Sequence, residues 1–240
     1  MKIRVSQFNS TTDDLTIVID LLRASTTITV ALNNFNKVIP VNSTDKALDL
    51  QDNNTILAGE KDLKPIEGFD LSNSPHKIKD YTADTLVLKT TNGTRVLENI
   101  YNRNKNIKIL IGSAINARAV ADKALSLATD EIELIMAGWH GLFSTEDCIG
   151  AGLIVEEIVN IANERSIDLD VEESALISKL LSSNHDRARE LIDTSLAAER
   201  LTKHGFKDDI VVCHEISKLD IVPLYKDGKI INLLSSLIFI

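Results

Sequence analysis

Residues 86–95 read LVLKTTNGTR, an apolar run set directly against small polar residues, a glycine and an arginine. An Asn-Gly pair commonly turns a hairpin, but a second strand would then place apolar residues at alternate positions. Here Val96, Leu97, Ile100 and Tyr101 recur at spacings of one, three and four, while Arg95, Glu98 and Asn99 fall elsewhere. That is one side of a helix, so the stretch reads as strand, short polar loop, helix. At such a junction the free N–H groups of the helix start face the loop, and the helix dipole favours negative charge there. The same residues also suit a plain N-cap at Thr91, Asn92 or Thr94.

The pattern recurs. LTIVIDLLRASTTITVAL (15–32) runs from a buried strand to Asp20, then through Arg23 to a Ser-Thr-Thr helix start; KILIGSAINARAVADKAL (108–125) passes through Ser113 and Asn116 into a helix. In residues 131–162 the strand EIELIM meets a longer loop, then a helix with Ile149, Leu153, Ile158 and Ile161 on one side. KVIPVNSTDKAL (37–48) and TILAGEKD (55–62) are shorter units. Continuous apolar strands alternating with helices predict an α/β fold with a largely parallel sheet covered by helices on both faces. In such a sheet the strands' carboxyl ends share one edge, where ligands bind. Asp20, Arg23, Glu60, residues 90–95, Ser113, Asn116 and the WHGLFSTED loop (139–147) are therefore expected at one cavity.

Beyond residue 165 the chain turns to charge-rich helices, read as solvated faces. Strand character returns near the end, with a turn at Asp227-Gly228. That segment is expected to close a sheet edge, form a second small sheet or bury a subunit contact. The chain reads as a single unit over 1–240: a core carrying the site motifs (1–165), a helical segment (166–205) and C-terminal strands (206–240).

With 44% apolar and 25% charged residues among 240, the composition is that of a globular protein needing no disulfide staple. Cys148 and Cys213 fit no metal or redox spacing and are expected to be reduced thiols. The start MKIRVSQFNSTTDD has no apolar h-region, and no run approaches a membrane span, so a soluble cytoplasmic protein without membrane partners is expected. A net charge of −9 argues against nucleic-acid binding. It also requires that any anionic ligand be met by locally gathered cations.

VIDLLRASTTI (18–28), ILAGEKD (56–62), GFDLSNSP (68–75), VLKTTNGTR (87–95), IGSAINA (111–117) and MAGWHGLFSTEDCIGAG (136–152), in this order, closely resemble the 2-phosphosulfolactate phosphatase family. The tail VVCHEISKLDIVPLYKDGKI (211–230) is similar to that family's ending. The resemblance implies magnesium-dependent hydrolysis of a small anionic phosphorylated substrate, 2-phosphosulfolactate, to 3-sulfolactate and phosphate on the route to coenzyme M. It further implies a family-specific α/β fold, built as two lobes with the site between them, and a homodimer.

Three anionic groups on three carbons repel at about 4 kcal/mol per pair at intermediate dielectric unless matched. Arg23 and Arg95 offer planar, permanently charged forks as catalytic cations. Magnesium takes one or two carboxylates and keeps waters. The candidates are Asp20, Glu60, Glu146 and Asp147, although STED (144–147) also reads as a helix cap with Ser144 at its head. Asp20 and Glu146 are the catalytic carboxylates of this reading. Either water attacks the phosphorus directly or Asp20 takes the phosphoryl group first; Leu22, where aspartate-based phosphatases carry a second Asp, favours water. Ser25, Thr26, Thr90, Thr91, Asn92, Gly93 and Thr94 are expected around the phosphoryl oxygens, and no GxxxxGK[ST] loop is present. Asn73 and Ser74 are candidates for the sulfonate or the metal, and Trp139 for a pocket wall. His140 is a poor candidate for an essential acid or base, and His76, His185, His204 and His214 are read as surface or structural. The alternatives are a phosphatase of another small phosphorylated hydroxy acid, or a non-catalytic anion-binding or sensing protein.

Overall fold

The computed structural model describes residues 1–90, 92–139 and 141–236. Ten strands form one sheet: β1 (Lys2–Gln7), β2 (Leu15–Ile19), β3 (Phe35–Val41), β4 (Thr55–Gly59), β5 (Ala83–Lys89), β6 (Lys108–Ile111), β7 (Glu131–Met136), β8 (Asp170–Val171), β9 (Pro223–Lys226) and β10 (Lys229–Asn232). The helices are α1 (Ala24–Ala31), α2 (Thr44–Leu48), α3 (Pro75–Ile78), α4 (Asn92–Arg103), α5 (Ala117–Leu127), α6 (Thr145–Glu164), α7 (Glu173–Ser182), α8 (His185–Asp193), α9 (Leu196–Lys203), α10 (Lys207–Cys213) and α11 (Leu233–Ser236). None of the described helices is long and apolar enough to cross a membrane.

The α/β architecture is as expected, and each half of the sheet is parallel. The strand order is β4-β5-β3-β10-β9-β6-β2-β7-β1-β8. Along β2, Ile17 and Ile19 pack with Leu110, Leu134 and helices α5 and α6, while Val18 joins Leu86, Leu97 and Ile135 in a second core on the opposite face. Burial on both faces is why the strand reads as an unbroken apolar run.

The C-terminal strands lie at no edge. The β9–β10 hairpin is inserted in the middle of the sheet, pairing antiparallel with β3 through Ile230–Val38 and with β6 through Tyr225–Ile109. Its turn puts Asp227 at φ 52° and Gly228 at φ 79°, the left-handed pair that suits the twist of a two-residue hairpin. Pro223 is tolerated in a central strand because it stands first. Three successive antiparallel pairings, β3–β10, β10–β9 and β9–β6, make the two parallel halves run in opposite senses.

A shared carboxyl edge therefore does not gather the polar residues; crossover helices do. Helix α1 carries the chain from β2 in one half to β3 in the other, and α4 carries it back from β5 to β6. Their first turns meet: a Cβ placed on Gly93 would lie 3.3 Å from Asp20 Oδ2 and 3.8 Å from Ala24 Cβ, a close approach that suits glycine. All eight residues of α1 are buried, although four are Ser or Thr. Three of these hydroxyls are satisfied within the segment, as Ser25 donates to the Asp20 carbonyl at 2.8 Å, Thr26 to Leu21 at 3.0 Å and Thr29 to Ser25 at 2.8 Å. In α4, Val96, Leu97 and Ile100 are buried while Arg95 and Asn99 are exposed, matching the periodicity. The helix starts earlier than read, with Asn92 to Arg95 already in its first turn.

Asp14 ties the sheet's lower ends together. Its carboxylate accepts the N–H groups of Thr129, Asp130 and Glu131 at 2.7, 2.7 and 3.0 Å, and Lys108 lies 3.4 Å away. Those three amides and Lys108 outweigh desolvation, the largest single influence, and bring its pKa down to about 2. Because folding lowers the pKa, the ionised carboxylate stabilises the fold above its ordinary value of 3.8, and this stabilisation fades as pH falls toward 2. Asp14→Asn is expected to cost about 1 kcal/mol at neutral pH after solvent screening. Denaturant midpoints of variant and wild type should converge as the pH is lowered through that window; a gap that stays constant would refute the ionic origin.

Candidate active site

Where the first turns of α1 and α4 meet the end of β4, the loop before α6 and one face of α9, a cavity of about 240 Å³ opens. Asp20, Arg23, Glu60, Asn73, Thr90, Asn92, Trp139 and Glu146 line it, so the structure brings these sequence candidates together.

Asp20 follows β2. Its carboxyl is pushed up to about 6, first by burial and then by the charges of Glu146 and Glu60, while the backbone N–H groups of Ala24 and Gly93 pull the other way. Glu60, just past β4, is also raised by burial, against the opposing pull of Arg23. Buried carboxylates that repel one another this way occur mainly where a cation or a proton is handled.

Arg23 is buried to within 2% and fully engaged. One terminal nitrogen lies 2.5 Å from Asp209 Oδ2, the other pairs with Glu60, and Phe206 covers the guanidinium face at 4.4 Å. Asp209 also accepts from the Ser74 hydroxyl and, at 3.2 Å, from the His76 N–H. Ser74 thus caps α3 and anchors on Asp209 and is not part of the lining. The Asn73 Oδ1 atom is buried with no hydrogen-bond partner among the described residues.

Other candidates stand elsewhere. Both oxygens of Asp147 are occupied by backbone amides, Leu21 at 2.8 Å and Gly138 at 2.9 Å, and its carboxyl is held well above the usual range by burial, Asp20 and Glu146. Ser144 caps α6 by accepting the Asp147 N–H at 3.3 Å, the role its spacing suggested. Ser113 and Asn116 form a closed capping box, with Asn116 donating to Ile111 and Ile221, and do not reach the cavity. Ser25 and Thr26 turn their hydroxyls to the backbone around Asp20; Gly93 and Thr94 back onto Asp20 in a small cleft behind the cavity. Arg95 is exposed on α4 and is not among the lining residues. Thr91 and His140 lie outside the described residues. Cys148 and Cys213 are free, buried thiols.

Two contributions came from segments read as solvated or as plain strand. Helix α9 presents Leu196, Ala197, Arg200 and Leu201 to the cavity, and Asp209 of α10 holds Arg23 from behind. The signal for Arg200 is its spacing, one turn beyond Leu196 and next to Leu201 on a shared helix face.

No group of three or more His, Cys, Asp or Glu residues among those described is close enough to enclose a metal by itself. A hard divalent ion that keeps most of its waters needs fewer protein ligands. Asp20, Glu60 and Glu146 in one cavity, together with the unpartnered Asn73 oxygen, are a donor set of oxygens that fits such an ion.

A family model described as 2-phosphosulpholactate phosphatase matches residues 3–228. The 2-phosphosulfolactate phosphatase of Methanothermobacter thermautotrophicus is 38% identical over 230 residues, covering 96% of this chain and 95% of the relative. Probable 2-phosphosulfolactate phosphatases of Clostridium novyi (39% over 223 residues, 89% of this chain and 90% of the relative) and Caldanaerobacter subterraneus subsp. tengcongensis (34% over 222 residues, 88% of each) are also similar.

Proposed function

This chain belongs to the 2-phosphosulfolactate phosphatase family, phosphoric monoester hydrolases, and from that premise we propose that its cavity hydrolyses 2-phosphosulfolactate to 3-sulfolactate and phosphate with magnesium, a step suited to coenzyme M biosynthesis. The observation that carries the proposal is the crowding of Asp20 by Glu146 and Glu60 at the junction of two helix starts. A site meant simply to hold an anion gains nothing from carboxylates that repel each other and the ligand alike.

Asp20 and Glu146, with the Asn73 carbonyl oxygen, would hold the ion; magnesium there supplies positive charge against the phosphoryl oxygens and acidifies water. Thr90 and Asn92, at the start of α4, offer hydroxyl and amide donors to the phosphoryl oxygens, where negative charge accumulates in the transition state. Glu60, raised by burial, takes the proton released as water attacks the phosphorus in line. Arg23, fixed between Asp209 and Glu60, keeps Glu60 oriented and limits the rise of its pKa. The alkoxide leaving group departs with a proton from solvent, giving sulfolactate and inorganic phosphate.

Phosphate release from 2-phosphosulfolactate should require magnesium, fall by about 10²-fold or more on chelation and recover on re-addition of the ion. If purified protein with magnesium releases no phosphate from this ester or from close three-carbon analogues, the chain is an anion binder and the enzymatic reading fails.

A further inference from the structure

The lining of the cavity carries four carboxylates, Asp20, Glu60, Asp62 and Glu146, against two guanidinium groups, Arg23 and Arg200. The charge of Arg23 is taken up by Asp209 and Glu60. Lys89, buried nearby, donates to the Glu60 carbonyl at 2.8 Å. Arg200 differs: its charge reaches Glu60 only at a distance, among the described residues it makes no direct ion pair, and its guanidinium lies 4.5 Å from the centre of the Trp139 ring. Stacking of this kind fixes the plane of the guanidinium and leaves its N–H edge free for an oxyanion. Of the four α9 residues in the lining, only Arg200 is charged; Leu196, Ala197 and Leu201 are apolar. An arginine held on an aromatic platform in an otherwise apolar wall is placed for a ligand.

The substrate class of the preceding section has three anionic groups. Phosphate and carboxylate sit on or next to the ester carbon and are hard oxygen ligands that suit the carboxylate-and-metal side. The sulfonate, one methylene further, is a permanent, weakly basic anion with little appetite for a hard cation. It matches the weakly hydrated, planar guanidinium instead. Resting on that reading of the function, we propose that Arg200, with Trp139 as its platform, is the specificity-determining residue that grips the sulfonate and separates sulfonated from unsulfonated phosphorylated hydroxy acids.

The test compares Arg200→Gln and Arg200→Lys with wild type on 2-phosphosulfolactate and on 2-phospholactate, which has a methyl group in place of the sulfomethyl group. It also measures equilibrium binding of 3-sulfolactate and lactate by calorimetry with magnesium present. Arg200→Gln should raise KM for the sulfonated ester and weaken 3-sulfolactate binding by about 50-fold, with kcat within about threefold, the size expected for losing a charge-assisted fork. The ratio of kcat/KM for the two esters should collapse by the same factor, and Arg200→Lys, a point charge without the fork, should restore part of it. Equal losses on both esters, or undiminished 3-sulfolactate affinity in Arg200→Gln, would overturn the proposal, as would a wild type that binds no 3-sulfolactate. If wild type hydrolyses neither ester yet binds 3-sulfolactate through Arg200, the enzymatic reading fails and this assignment stands.

Discussion

Asp20→Asn is expected to lower kcat for 2-phosphosulfolactate by about 10³-fold, the upper end of what loss of one preorganised charge at a reacting centre commonly costs. The same substitution should leave the metal-free protein no less stable than wild type, because it removes one of the mutually repelling carboxylates in the cavity. Folding raises the Asp20 pKa from 3.8 to about 6. The native state therefore binds more protons than the unfolded chain between those values, and stability falls as pH rises through that window. At neutral pH the ionised group costs metal-free wild type on the order of 2 kcal/mol, a cost that magnesium binding should offset. Thermal unfolding without metal should show wild type gaining more stability from pH 7 to pH 5 than Asp20→Asn, in which only the raised carboxyls of Glu60 and Asp147 remain. A variant both inactive and strongly destabilised would mean that Asp20 is structural.

The local units of this fold were legible because their physics is local. Buried parallel strands such as β2 and β5 read as apolar runs, α4 and α6 show helical spacing, and the Asp227-Gly228 turn announces its hairpin. Where that hairpin docks was not legible. Tyr225 meets Ile109 and Ile230 meets Val38 across more than a hundred residues of chain, and nothing near residue 225 distinguishes a central strand from an edge one. The same division runs through the site. Asp20, Glu60, Thr90, Asn92 and Glu146 stand at element ends, where polar residues after apolar strands or at a helix start are conspicuous, and all reach the cavity. Ser113 and Asn116 occupy an equivalent junction, but their three-residue spacing closes a capping box that satisfies both locally. Arg200 was hidden in a charge-rich helix, and Asp209 because its partners Arg23 and Ser74 are 186 and 135 positions away.

That hidden aspartate leads to the other large effect, Asp209→Ala. The residue is 1% exposed and its two oxygens serve three partners: the Arg23 guanidinium at 2.5 Å, the Ser74 hydroxyl and the His76 N–H at 3.2 Å. Truncation leaves a buried guanidinium with Glu60 as its sole carboxylate among the described residues, and the buried Ser74 hydroxyl and half-buried His76 N–H without this acceptor. Breaking a buried pair from one side commonly costs about 3–5 kcal/mol, so Tm should fall by about 10 °C. The loss comes from the charge left behind rather than from the pair itself, since much of the Coulomb attraction is offset by desolvation of both ions. Arg23→Met in the Asp209→Ala background should therefore recover a substantial part of the stability, giving a coupling of about 2 kcal/mol in a double-mutant cycle. Catalysis should not recover with it, because Glu60 would then lack the cation that pairs with it and most strongly opposes the rise of its pKa. Additive losses in the cycle would show that Asp209 supports the helices packed behind the cavity independently of Arg23, and its claim to position the site would fall.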